Sequence, residues 1–205
     1  MDRQFRISLA TVPHATMGRA RVSHAGRIGD SEVKNGNDPY AQLDEVPMIR
    51  VTAEFQDGGE LPLAQVSKDQ GGSERSPKLA WEHVPNAKSY MVTVYDPDAP
   101  TMSGFWHWVV TDIPASVQEL AEGELPEGAT ARLNEAGGTD FIGAAPPAGH
   151  GPHRYFVTVQ ALDVERLEVP ADLTPARVHF MAREHIIARG HVHATWANPC
   201  LLYTS

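Results

Sequence analysis

Ser89-Tyr90-Met91-Val92-Thr93-Val94-Tyr95-Asp96-Pro97-Asp98-Ala99-Pro100 is the stretch that decides how this chain is read. Alternation along an extended strand puts Tyr90, Val92 and Val94 on one face and Met91, Thr93 and Tyr95 on the other. Both faces are largely apolar, so the segment is predicted to be a central strand covered on both sides. The apolar run ends at Asp96, where Pro97 and Pro100 fix the backbone while Asp96 and Asp98 project two carboxylates from a stiff turn. Such rigidity suits a site.

Working outward, Trp106 to Ile113 and Tyr155 to Leu162 are also rich in aromatic and β-branched residues and bounded by Pro and Gly clusters, the composition of strands. Met48 to Phe55 is predicted to be a further strand that ends at the Asp57-Gly58-Gly59 turn. One helix is predicted, with Thr174 as N-cap, Pro175 at the first helical position and Gly190 as its left-handed stop. Val178, Met181, Ala182, His185 and Ile186 fall on one stripe of that helix, which makes His185 a core-edge residue. Strands outnumber helices, do not alternate regularly with them and show no internal repeat. The predicted fold class is mainly β, a sheet-on-sheet sandwich with short peripheral helices.

Composition narrows the function. The 205 residues, 41% of them hydrophobic, can close one core. A formal net charge of −9 and a pI near 5.5 argue against nucleic acid as a partner, because a duplex-binding surface needs clustered Lys and Arg. No apolar run approaches the roughly 20 residues of a membrane-spanning helix, so no integral-membrane segment is expected. Arg3, Arg6, Arg19, Arg21 and Arg27 are followed by no continuous apolar segment, so residues 1–37 read as a disordered extension rather than a secretory signal. The single cysteine, Cys200, fits a reducing compartment, and the expected location is the cytoplasm.

Two further segments could carry chemistry. His107 lies between Trp106 and Trp108, and simple alternation turns it to the sheet face opposite both indoles. Pro146-Pro147-Ala148-Gly149-His150-Gly151-Pro152-His153-Arg154-Tyr155 is a Pro- and Gly-rich loop that delivers a His, an Arg and a Tyr at the start of a strand. Imidazoles titrate near neutral pH and can each offer an N–H to a phosphate or carboxylate oxygen, so two of them define a small anion site. A carboxylate there repels an anion unless it is hydrogen-bonded, which gives Asp96 the task of orienting His107 or His153. Arg forms geometrically specific pairs with carboxylates, so Arg154 is expected to pair with Asp98.

Together these residues resemble a known family. The run from Ser89 to Pro100, followed by His107-Trp108 and Ile113-Pro114, is similar to one signature of the phosphatidylethanolamine-binding proteins, and Gly149-His-Gly-Pro-His-Arg-Tyr is similar to the other. The resemblance runs from about Asp38 to Trp196 and is nearest in style to the bacterial, Raf kinase inhibitor-like branch. It implies a large antiparallel sheet packed on a smaller one, and a shallow anion pocket at Asp96, Pro100, His107, Pro146, His153 and Tyr155. Asp98, Trp108, Gly149, Gly151 and Arg154 are read as its support. The resemblance also implies partner proteins for some members, which act on kinases or proteases.

Other readings stand beside this one. His107 and His153 could be satisfied core histidines, and Asp96 and Asp98 ordinary turn residues. His191 and His193 read as polar positions on one strand face. Ten histidines raise the question of a metal, yet Cys-x-x-Cys and His-Glu-x-x-His spacings are absent, so no metal and no cofactor are expected. A hydrolase using Asp96, His107 and His153 is the enzymatic alternative, although Gly-x-Ser-x-Gly and phosphate-loop motifs are missing. An inhibitor acting on a kinase or protease through its loop rim is the third. Exposed sheet edges leave a homodimer open. Residues 38–197 are expected to form the domain, and residues 198–205 resemble translated adaptor read-through, a non-native tail that contains Cys200.

Overall fold

The computed structural model describes residues 38–198. The extension expected over 1–37 and, of the tail expected over 198–205, all but Asn198 lie outside the described residues, Cys200 included. In chain order the strands are β1 (Val51–Ala53), β2 (Gly59–Glu60), β3 (Leu79–Trp81), β4 (Ser89–Asp96), β5 (Phe105–Pro114), β6 (Glu119–Leu120), β7 (Thr130–Ala131), β8 (His153–Leu162) and β9 (Ile186–Trp196). One α-helix, α1 (Pro175–Ala182), precedes β9, and short 3-10 turns lie at Leu63–Gln65, Lys68–Gln70 and Arg183–His185.

The strands make two sheets, a small one in the order β1-β3-β6 and a large one in the order β2-β9-β8-β4-β5-β7. Pairing in the large sheet is antiparallel apart from the short β2, which runs parallel to β9. The mainly β sandwich read from the sequence is the fold observed. β4 lies between β5 and β8, the interior position its two apolar faces require. Its inward set, Tyr90, Val92 and Val94, packs with Val157 and Val159 of β8 against Leu79 and Trp81 of the small sheet. On the outer face Met91, Val109 and Leu162 pack with Val178 and Ala182 of α1.

Two expectations need correction. The helix ends at Ala182, and the stretch read as its last turns is the 3-10 turn and the start of β9. Met181 is consequently exposed and Ile186 begins a strand, while His185 makes a partly exposed pair with Asp163, Nδ1 to Oδ1 at 2.9 Å. Gly190 therefore does not stop a helix; it pairs with Val159 inside β9. Its missing side chain has another cause, because the chain crosses here and a Cβ on Gly190 would run into the carbonyl oxygen of Ile49. The second correction concerns the tryptophans. The β4–β5 ladder shifts register so that Val94 pairs with Trp108 but Tyr95 pairs with Trp106, leaving His107 as the extra residue of a bulge. Trp106 packs on the outer face beside α1 and Trp108 in the inter-sheet core, so the indoles part company instead of sharing a face.

Candidate functional site

Asp96 is the last residue of β4 and His153 the first of the neighbouring β8, so the ends of two adjacent strands bring them together. Asp96 is buried, and its Oδ2 lies 2.8 Å from His153 Nδ1. The other oxygen, Oδ1, accepts the Asp98 N–H at 2.7 Å and fixes the turn. A carboxylate only accepts, so Nδ1 of His153 carries a proton and its Nε2 is left for other groups. Burial raises the Asp96 pKa above the usual carboxylate value, with the bond to His153 opposing it. The orienting task expected of Asp96 thus falls on His153.

The bulge sends His107 inward beside Tyr155 of β8, the two rings meeting edge-on with centroids 5.2 Å apart. Ile142 clamps this residue twice. Its N–H donates to the His107 carbonyl at 3.1 Å, and its carbonyl oxygen lies 2.7 Å from His107 Nδ1. Because a carbonyl only accepts, Nδ1 bears the hydrogen, and burial pushes the His107 pKa down to about 4. At neutral pH the ring is uncharged and its Nε2 is an acceptor, not the second N–H donor that sequence reasoning assumed. Nε2 of His107 and the Tyr155 hydroxyl are both buried without a hydrogen-bond partner among the described residues. Burial also raises the Tyr155 pKa, with Asp96 adding to the effect, so the phenol stays protonated and can donate.

Asp98 and Arg154 flank this group. Arg154 donates from Nε and Nη2 to the two carboxylate oxygens, each at 2.8 Å, and its backbone N–H adds a third bond to Oδ2 at 2.9 Å. Burial pushes the Asp98 pKa up, but the Arg154 bonds outweigh it and the net shift is downward. The pair ties the β4 turn to the start of β8 and thereby holds Asp96 opposite His153.

The remaining residues of the expected site are spread around this centre. Pro146 is buried, and its carbonyl accepts from Gln70 Nε2 at 3.0 Å, while Gln70 Oε1 accepts the Trp196 indole N–H at 3.1 Å. Pro100 is exposed in the β4–β5 turn. Gly149 and Gly151 lie in the exposed loop before β8 with φ of +83° and +82°, a backbone region that favours glycine. Trp108 belongs to the inter-sheet core. Sequence reasoning missed Gln70 and Ile142. Ile142 acts through its backbone, which no motif records. His150 lay within the signature itself, and its ring is 5.8 Å from that of His153.

The centre combines a phenol O–H donor, an imidazole acceptor and the Nε2 of an Asp-paired histidine. A group carrying both an acidic O–H and a free oxygen matches that set. Residues 51–197 match the family model described as phosphatidylethanolamine-binding protein. YbhB of Escherichia coli, a UPF0098 protein, is 40% identical over 159 residues, which cover 73% of this chain and 100% of that protein. A UPF0098 protein of Aquifex aeolicus is 38% identical over 143 residues, 67% of this chain and 81% of its own length. The crystal structure of E. coli YbcL, described as a member of the mammalian PEBP family, has a TM-score of 0.68 at 37% identity, covering 73% of this chain and 98% of that one.

Proposed function

The chain belongs to the phosphatidylethanolamine-binding protein family, and from that membership we propose that it is a non-enzymatic binding protein for a small oxyanion. Its pocket is formed by Asp96, His107, His153 and Tyr155, and its ligand class is a phosphate or a phospholipid head group. The observation that carries this reading is the buried, partnerless pair of His107 Nε2 and Tyr155 Oη beside the Asp96–His153 pair. A buried polar atom left unpaired costs about 1–3 kcal/mol, and one ligand group bonded to both would remove that cost.

The chemistry favours a singly protonated phosphate. Its P–OH can donate to His107 Nε2, and its other oxygens can accept from the Tyr155 hydroxyl beside the Asp96–His153 pair. A doubly charged phosphate offers His107 no proton and meets the Asp96 carboxylate. For a free phosphate or a phosphomonoester, affinity therefore rises as pH falls through the second phosphate pKa of about 6.

No bond need be broken for this role. Modulation of a partner protein would run through the exposed loop around Gly149 and His150, which borders the pocket. We assign the protein to the cytoplasm because its sequence holds a single cysteine. Among the described residues no helix is long and apolar enough to cross a membrane.

The test is to titrate phosphate, acetate and phosphoethanolamine into the protein while following the His107 and His153 imidazole signals by NMR from about pH 5.5 to 8. Joint shifts of both rings, larger with phosphates and at lower pH, support the reading. Silent histidines together with turnover of a chromogenic ester would overturn it in favour of the hydrolase.

A further inference from the structure

The outer face of the large sheet carries a cavity of about 180 Å³, on the opposite side of that sheet from the inter-sheet core. Tyr95, Trp106, Tyr40 and Leu43 give it aromatic and apolar walls, while Thr93, Thr158 and Gln160 supply a polar lining and His179 reaches it from α1. Thr93, Thr158 and Gln160 are each 4% exposed or less, although an outward position of that kind, if it were only packing against α1, would be expected to carry an aliphatic side chain.

Their hydrogen bonding is incomplete. The Thr158 hydroxyl pairs with Tyr40 Oη at 2.6 Å, and Gln160 Nε2 lies 2.8 Å from His179 Nε2. The other end of the Gln160 amide, Oε1, has no partner among the described residues, and the side chain is 1% exposed. Arg189, directly across the strand pair from Gln160, lines a separate groove that shares Leu43 and His179 with the cavity. The lining of the cavity thus holds one buried acceptor with no partner among the described residues.

We propose that this cavity is a second ligand site, for a small neutral planar molecule bearing a carboxamide or lactam. Such a group donates an N–H to Gln160 Oε1, the unpaired acceptor of the lining. The ring lies against Tyr95 and Trp106, whose own rings are 4.5 Å apart. A cavity of roughly 150 Å³ is known to hold one benzene ring, so the volume suits a single substituted ring. The cavity itself is lined by no aspartate, glutamate, lysine or arginine, so an ion entering it would lose its hydration without compensation.

Benzamide is the probe, with benzoate as its charged counterpart. Addition of benzamide to the full chain is expected to shift the Gln160 side-chain amide and Trp106 indole N–H signals and to leave the His153 imidazole unmoved. Contacts between benzamide ring protons and the Trp106 and Tyr95 rings should appear in nuclear Overhauser spectra of the unmutated protein. Gln160→Leu should weaken binding about tenfold, the worth of one hydrogen bond. Benzoate should bind more weakly than benzamide. Absence of the ring contacts overturns the proposal, as does equal affinity for benzamide and benzoate, or shifts centred on His153. If Gln160→Leu does not fold, the ring contacts in the unmutated protein decide by themselves.

Discussion

His153 Nδ1 lies 2.8 Å from Asp96 Oδ2, and each side chain is only 4% exposed. Two buried side chains held this way depend on each other: without the carboxylate, the imidazole proton loses its acceptor, and without the imidazole, the carboxylate is buried half-satisfied. Asp96→Asn keeps an oxygen for the Asp98 N–H but can turn an amide N–H₂ toward His153. The expected result is a loss of about 1–3 kcal/mol in denaturant unfolding. Phosphate affinity should fall about tenfold, because His153 loses the acceptor that orients its ring. Unchanged phosphate affinity and an unchanged pH profile in this variant would sink the proposed role of Asp96.

Acid should weaken the fold through two histidines on opposite faces of the large sheet. Burial lowers the pKa of His107 and of His179, each to about 4 from an ordinary 6.5. A depressed basic group binds its proton less readily in the folded than in the unfolded chain. Its contribution is therefore fully present above pH 6.5 and is lost as pH falls toward about 4. For His107 the loss amounts to roughly 3 kcal/mol at full extent, and for the more accessible His179 to less. Asp96 works in the opposite sense: its raised pKa means that its ionisation opposes folding as pH climbs past the ordinary carboxylate value. Urea midpoints measured at about pH 7 and pH 4.5 should drop on acidification, and His179→Gln should flatten the slope. A slope unchanged in that variant would remove His179 from the account.

The two signature segments made the central strands and the Asp96–His153 neighbourhood legible, because β4 and β8 carry continuous apolar and β-branched residues up to a polar turn. What alternation could not give was the bulge at His107, since register shifts depend on the partner strand and not on the strand's own sequence. The helix was extended past Ala182 because His185 and Ile186 happen to continue its period, although they belong to a 3-10 turn and a strand. Gly190 looked like a stop for the same reason, when the element that excludes its side chain is Ile49, far away in sequence. The outer cavity escaped notice altogether: Gln160 and His179 share no motif and meet only through the docking of α1 on the sheet.

Arg154 should not tolerate lysine. Its fork makes two side-chain bonds of 2.8 Å to the Asp98 carboxylate, a planar geometry that a single ammonium cannot reproduce. Both partners are about four-fifths covered, at 19% and 21% exposure, so the pair is screened less than a surface ion pair. Arg154→Lys is expected to cost about 1–2 kcal/mol. It should also broaden the His153 imidazole signal as the turn bearing Asp96 loosens. A thermal melt together with a histidine-selective NMR spectrum checks both, and a variant with full stability and a sharp His153 signal would show that the Asp98 bond to the Arg154 backbone suffices.

Gly190 offers a sharper case, because its requirement is spatial and its φ is not in the left-handed region. Ile49 lies across β9 at this point, tied on either side by the Ile49 N–H to the Arg189 carbonyl at 2.9 Å and by the Arg189 N–H to the Pro47 carbonyl at 2.9 Å. A methyl on residue 190 meets the Ile49 carbonyl oxygen, and Val51 Cγ2 stands 2.8 Å from the same Cβ position. Backbone atoms on a ladder cannot yield as a flexible side chain can, so the crossing strand must lift and both Arg189 bonds stretch. Gly190→Ala is therefore expected to destabilise by about 2–4 kcal/mol, against the gain of a few tenths that the same substitution brings in an unstrained strand. Amide exchange at Ile49 and Arg189 should accelerate well beyond that of the β4 core. The helix-stop reading makes the opposite forecast, with Ile49 unaffected and the change felt at Ala182 to His185, so the location of the accelerated exchange separates the two.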